Sequence, residues 1–234
     1  MALLFLLILH TLLVNCGAED KLQKASDICN YENMPPSCSC SELDSKSKYG
    51  KYAISLECTD EIGVESIKTA FEQIQAAKGR IIRYKLELRK TASLDSSFFA
   101  FFGLQLPAEV KIKWNRLAEN RMIEYNPMVE IEEDAFMNQE HLLIKLHLEG
   151  DEACLKKFPR AMAEMENLEW LRVSLGANSN DCQQRIVPEM FKELSKLKGL
   201  EMKFQNQRTL CSKTFEGATN LEIISLSTAQ PWIS

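Results

Sequence analysis

The chain has 234 residues, 26 % of them charged, and a formal net charge of −5. That balance argues against general nucleic-acid binding, which calls for a basic excess. Beyond the first residues no apolar run reaches the ~18 positions a membrane helix needs, so no membrane anchor is expected.

Residues 1–18 read as a signal peptide. Met1 to Val14 is almost wholly apolar and uncharged, too short for a membrane span, and is followed by Cys16-Gly17-Ala18. Small residues at the −3 and −1 positions are what a signal peptidase accepts, so cleavage is expected after Ala18. A buried N-terminal helix is the competing reading; lipidation of Cys16 is disfavoured because Asn15 precedes it. The product is then secreted and extracellular, with enough chain left for one sizeable core. Of the eight cysteines in the chain, Cys16 is removed with the signal. The odd number that remains should mostly pair in an oxidising compartment, leaving at least one thiol over.

Residues 19–60 are cysteine-rich. Cys29, Cys38, Cys40 and Cys58 follow the spacing C-x8-C-x-C-x17-C, with Pro35-Pro36 inside. Four cysteines allow three pairings. A zinc site is the rival reading, disfavoured by the C-x-C spacing and the absence of a second close pair. After Cys58, residues 65–77 read as a helix, because Ile67, Ala70, Phe71 and Ile74 fall on one face.

Residues 61–228 are built on one returning pattern, which already begins in the cap. It reads Leu143-x-x-Leu146-x-Leu148, Leu168-x-x-Leu171-x-Val173, Leu197-x-x-Leu200-x-Met202 and Leu221-x-x-Ile224-x-Leu226, with partial copies at Ile54-x-Leu56, Leu86-x-Leu88 and Val110-x-Ile112. Spacings between successive second positions of 32, 24, 36, 25, 29 and 24 mostly fall in the range of leucine-rich repeats. A large apolar residue follows each strand: Phe71, Phe98 or Phe99, Phe136, Phe158 or Met162, Phe191 and Phe215. One such unit cannot bury its apolar side alone, so neighbours must stack. The expected fold is α/β: a leucine-rich-repeat solenoid of about six repeats with a curved parallel sheet, helices and loops on the convex side, a disulfide-bonded N-terminal cap and no C-terminal cap. The consensus asparagine after the strand is eroded to Thr91, Asn115, Asp151, Gly176, Gln205 and Ala229, which predicts a less regular array.

The four-cysteine spacing resembles the N-terminal flanking module of extracellular leucine-rich-repeat proteins. Precedent in that module implies the pairs Cys29–Cys40 and Cys38–Cys58. Together with Ser66-Ile67-Lys68-Thr69-Ala70-Phe71 and the irregular repeats, it resembles a group of secreted arthropod leucine-rich-repeat proteins that includes the non-catalytic subunit of Oplophorus-luciferin 2-monooxygenase. The resemblance implies an extracellular accessory or binding role, with no catalysis of its own.

Cys154 and Cys182 nearly stack when adjacent repeats are anchored on Pro159 and Pro188, and a strand spacing suits a disulfide. Cys154–Cys182 is the favoured pair; anchoring on the strand leucines gives Cys182–Cys211 instead.

Residues between the strand leucines should line the concave face. One column reads Glu87, Lys111, His147, Arg172, Glu201 and Ser225; a second Lys85, Glu109, Lys145, Trp170, Gly199 and Ile223; a third Arg89, Lys113, Glu149, Ser174, Lys203 and Ser227. The candidate binding residues are Lys111, Lys113, Lys145, His147, Trp170 and Arg172. A Trp–Arg cluster is common interface anchor chemistry, and excess positive charge steers an acidic partner. The alternative is an ordinary solvated face. The expected partner is an unidentified protein or an acidic ligand.

No catalytic motif is evident: no Gly-x-Ser-x-Gly, phosphate loop or redox cysteine pair is present, and Cys182 and Cys211 lack a base. His141, His147 and Asp151 could be drawn as a metal site, but His147 should face the concave side while His141 sits in the preceding loop. No catalytic residue, metal or cofactor is therefore expected. A secreted structural or carrier protein that self-associates is the alternative function. The tail, residues 229–234, carries no second cysteine cap, and the last strand should expose an edge through which the chain could oligomerise. Truncation is the favoured explanation, over a tail that folds across the end or a partner that covers it.

Overall fold

The computed structural model describes residues 25–29, 34–43, 53–60, 63–77, 79–88, 93–94, 97–98, 108–114, 129–132, 134–137, 141–150, 153–154, 160–175, 188–204 and 213–228. The signal segment, the tail and the consensus asparagine column lie outside them. So does Cys182, and with it the Cys154–Cys182 pairing.

Short alternating segments set the architecture. In β5 (Glu109–Trp114), β7 (Lys145–Gly150) and β9 (Trp170–Leu175), every second residue is buried. This is the signature of a strand with one face on a core. β3 (Arg80–Leu88) and β2 (Ala53–Thr59) precede them, and β10 (Gly199–Phe204) and β11 (Ile223–Thr228) follow. With β1 (Cys38–Glu42) they form an eight-stranded sheet in the order β1-β2-β3-β5-β7-β9-β10-β11. β1 pairs antiparallel with β2 and every other pairing is parallel. Sequential parallel strands, each one unit further along, are what a stack of repeats produces.

The inward column Leu56, Tyr84, Val110, Leu146, Leu171, Leu200 and Ile224 runs straight across this sheet. All are buried except Ile224, which is 49 % exposed on the last described strand. The column corrects the sequence-derived register of β3: the residue opposite Val110 is Tyr84, not Leu86. Side chains alternate with period two, so a slip of two keeps every residue on its own face and leaves no trace in the burial pattern. Ile82 is the extra residue at a bulge opposite Ile54 and Ser55, which is why Ile81 and Ile82 are both buried. With Leu56 and Tyr84 as the column residues in place of Ile54 and Leu86, the anomalous 32-residue spacing disappears, giving 28 from Leu56 to Tyr84 and 26 from Tyr84 to Val110.

The strands are also stitched at their starts. The carbonyls of Ala108, Ile144, Glu169 and Lys198 each accept from two successive N–H groups of the next repeat, for example Glu169 N and Trp170 N on Ile144 O at 2.8 and 3.2 Å. Asn167 and Asn220, each just before a repeat leucine, donate from Nδ2 to the carbonyls of His141 (2.9 Å) and Ser195 (2.6 Å). Backbone groups at the turns are thereby satisfied by the repeat itself.

The other side of the core is closed by α1 (Ala25–Cys29), α2 (Val64–Ala76), the four-residue α3 (Arg160–Ala163), a 3-10 turn at Pro188–Phe191, and turns. The buried face of α2 is Ile67, Ala70, Phe71 and Ile74, as its spacing requires. A second ribbon of short parallel strands, β4 (Ser93–Leu94), β6 (Val129–Ile131) and β8 (Ala153–Cys154), is formed by the strands that come next in the chain after β3, β5 and β7. The sequence showed no sign of it, because two- and three-residue strands carry no period. Phe71, Phe98, Phe136, Met162 and Phe191 are buried in the core, whereas Phe99 and Phe158 lie outside the described residues. Phe215 is half-buried and stacks on Phe191 with ring centroids 5.4 Å apart. Phe136 adopts φ 73°, a conformation that costs roughly 1–2 kcal/mol and is offset by burial of the whole ring.

The cap is bonded as the resemblance implied: Cys29–Cys40 and Cys38–Cys58, with Cα separations of 5.1 and 4.1 Å. Cys38 and Cys58 are direct partners across β1 and β2. Because β2 also pairs with β3, the cap's second strand is the first of the parallel array.

Candidate functional site

The outward-facing residues of the sheet form one open face, and hollows of about 370 and 520 Å³ lie on it among the described residues. Three rows cross it. One reads Arg83, Glu109, Lys145, Trp170, Gly199, Ile223; the middle one Lys85, Lys111, His147, Arg172, Glu201, Ser225; the third Glu87, Lys113, Glu149, Ser174, Lys203, Ser227. The corrected β3 register replaces Lys85, Glu87 and Arg89 by Arg83, Lys85 and Glu87 at the row ends. All six sequence-derived candidates, Lys111, Lys113, Lys145, His147, Trp170 and Arg172, lie on the adjacent strands β5, β7 and β9.

Their charges do not add into a basic patch. Lys145 Nζ donates to Glu109 Oε1 at 2.8 Å, and Arg83 Nε donates to Glu109 Oε2 at 3.0 Å. Lys111 Nζ lies 3.2 Å from Glu149 Oε2, and Arg172 Nε lies 3.3 Å from Glu201 Oε1. Lys85 pairs with Glu57. Opposite charges placed directly across strands stabilise a sheet and cancel its field. Glu109, Glu149 and Glu201, which interrupt the sequence columns, are therefore the counter-ions of Lys145 and Arg83, of Lys111, and of Arg172. Burial raises the Glu109 carboxyl, but the hydrogen bonds and charges of Lys145 and Arg83 outweigh it and hold its pKa below the ordinary value. Glu149 is lowered in the same way, with burial opposed by the Lys111 hydrogen bond and the Lys111 charge.

His147 sits between Lys111 and Arg172 in its row. Burial first, then these two cations, push its pKa down to about 4, against the opposing pull of Glu149, whose Oε2 is 3.4 Å from Nε2. The ring is neutral at physiological pH. His141 instead pairs with Glu166 at 3.1 Å on an exposed loop. Asp151 lies outside the described residues, among which no group of three His, Cys, Asp or Glu side chains is placed to hold a metal.

Trp170 is the exception on this face: it is 41 % exposed, and the next large residue in its row, Ile223, is 52 % exposed. Gly199 between them explains the posture of the indole. A Cβ on Gly199 would lie 2.1 Å from Trp170 Cε3 and 2.2 Å from Cζ3, so the ring leans over the glycine rather than standing clear of the sheet. Glycine inside a strand marks such close approaches. The larger hollow lies here, bordered by Lys145, His147, Trp170, Arg172, Glu201 and Ile223. The supporting glycine was in the sequence columns but gave no signal, because its role depends on a neighbour 29 positions away.

The fold and this face define a leucine-rich-repeat-like solenoid with a disulfide-bonded cap. No family model matches the sequence, and no curated protein matches it, so the resemblance to the arthropod group stands only at the level of the repeat fold. Among solved structures the chain is similar to one in the Toll–Spatzle complex of Drosophila, at 14 % identity and a TM-score of 0.42, over 86 % of this chain and 29 % of that one. The present chain thus spans less than a third of the length of that chain. So slight a likeness says nothing about activity or partners, and the repeat register described above carries the fold. No helix among the described residues is long and apolar enough to cross a membrane.

Proposed function

We propose that this chain is a secreted, non-catalytic leucine-rich-repeat module that recognises a protein through the open face of its sheet. The exposure of Trp170 in a hollow beside the ion pairs of Lys145, Lys111 and Arg172 carries the reading. A large aromatic held on a rigid sheet, ringed by residues that exclude water, is the arrangement of interface hot spots. An acidic ligand is less well supported, because Glu109, Glu149 and Glu201 already occupy Lys145, Lys111 and Arg172. The two cap disulfides accord with an oxidising, extracellular setting. An accessory role beside a separate partner, of the kind the arthropod resemblance implies, belongs to this reading.

The test is capture from the native secretion with immobilised wild type and with a Trp170→Ala/Arg172→Ala double variant, followed by binding measurements on the purified captured protein. A partner that binds wild type at least tenfold more tightly than the variant is expected. Equal affinity for both would move the site off this face. The exposure of Ile224 supports a second reading, self-association through β11 as a structural or carrier protein. A stable homo-oligomer in size-exclusion chromatography, dissociated by Ile224→Lys, would favour it.

A further inference from the structure

We propose that the hollow around Trp170 takes an uncharged sugar ring stacked on the indole. The inference rests on the open-face reading above and names a ligand class for part of that face. The geometry supplies four complementary features.

The first is a platform. The benzo ring of Trp170 occupies the place a side chain at residue 199 would take, so the indole lies low over Gly199 with its other side open to solvent. A pyranose presents ring C–H bonds on one face, and these suit the negative face of an aromatic ring. The second is an apolar extension, Ile223, beyond Gly199 in the same row and 52 % exposed. The third is a polar rim one row away: the Arg172–Glu201 pair and the Ser225 hydroxyl border the same hollow and supply donors and acceptors for sugar hydroxyls. The fourth is charge. Lys145 is paired with Glu109, Arg172 with Glu201, and His147 is neutral at physiological pH, so the rim has little surplus to attract an anion. A ligand with one apolar face, a hydroxyl-rich edge and no charge fits this combination; a carboxylate or phosphate would have to displace glutamate from its partner. The hollow's volume of about 520 Å³ lies within the range of small-ligand sites.

The test uses the full secreted chain. Neutral trisaccharides built on glucose, galactose, mannose and N-acetylglucosamine are titrated while the Trp170 indole N–H is followed by NMR. Poly-glutamate and a sulfated disaccharide serve as anionic probes. A saturable shift with at least one neutral sugar is expected. Its affinity should fall tenfold or more in Trp170→Ala and several-fold in Gly199→Ala, with Trp170→Ala still unfolding in one cooperative transition. No response to any neutral sugar, or an unchanged affinity in Trp170→Ala, overturns the proposal. Should only the anionic probes bind, in a Trp170-dependent way, the sugar subsite falls and the open-face reading stands. Should Trp170→Ala alter neither sugar binding nor the affinity of a captured protein, both fall.

Discussion

Glu109 and Lys145 are direct partners across β5 and β7, and the lysine Nζ donates to Glu109 Oε1 at 2.8 Å. Arg83 reaches the other carboxylate oxygen from β3, so one glutamate ties three strands on the open face. Its side chain is largely covered while both bases stay substantially exposed, which limits the worth of each pair. Glu109→Gln should lower stability by about 1 kcal/mol at pH 7. A carboxyl whose folded pKa is depressed stabilises above its unfolded pKa, and that contribution fades as pH falls through the folded value. The gap between wild type and Glu109→Gln in urea denaturation should therefore narrow as pH falls below the ordinary carboxylate range of about 4. A gap that stays constant as the medium is acidified through the acid limb of the stability curve would contradict the assignment.

His147 has the same sign, because its folded pKa is also depressed. The unfolded state binds its proton near 6.5 and the folded state only near 4, so lowering pH across that window favours unfolding. Wild-type stability should decline over this interval by up to roughly 3 kcal/mol, and His147→Gln should flatten the slope. NMR titration of the His147 imidazole checks the cause directly; a midpoint at or above 6 would refute it.

Two members of one inward column should respond differently. Leu171 is 1 % exposed and Ile224 is 49 % exposed. Leu171→Ala should cost about 2–5 kcal/mol through lost burial and a cavity, and Ile224→Ala about 1 kcal/mol or less. Equal losses by chemical denaturation would show that Ile224 is covered in solution.

The cap should behave as a staple. Cys38–Cys58 joins residues 20 apart, opposite one another on β1 and β2. A Cys38→Ser/Cys58→Ser double variant should lose about 2–4 kcal/mol of stability. Peptide mapping of the unreduced wild type should recover both cap disulfides; a Cys29–Cys38 or Cys40–Cys58 peptide would overturn the pairing.

The parts legible in sequence are those with local causes. The face assignment of β5, β7, β9 and β10 followed from alternation of Leu, Val and Met with polar residues, and α2 followed from the i, i+3, i+4 spacing of Ile67, Ala70, Phe71 and Ile74. Tyr84 was missed as a column residue. Its phenol reads as polar, yet the ring is fully buried, with its pKa driven upward by desolvation. The β4-β6-β8 ribbon was missed because its strands are too short to carry a pattern.

What the residues alone determined here is a stack of strand units with an inward apolar row and an outward polar row. That follows from a two-residue period, a property of neighbours in the chain. Only the tertiary structure decided which outward charges cancel and where an aromatic is left open. Arg83 and Lys145 meet Glu109 from 26 and 36 positions away, and Trp170 leans on a glycine in the next repeat. Those contacts depend on strand register, and a two-residue slip in register changes them all while leaving every side chain on its own face. Lys111, Lys145 and Arg172 thus became members of compensated pairs beside one exposed indole.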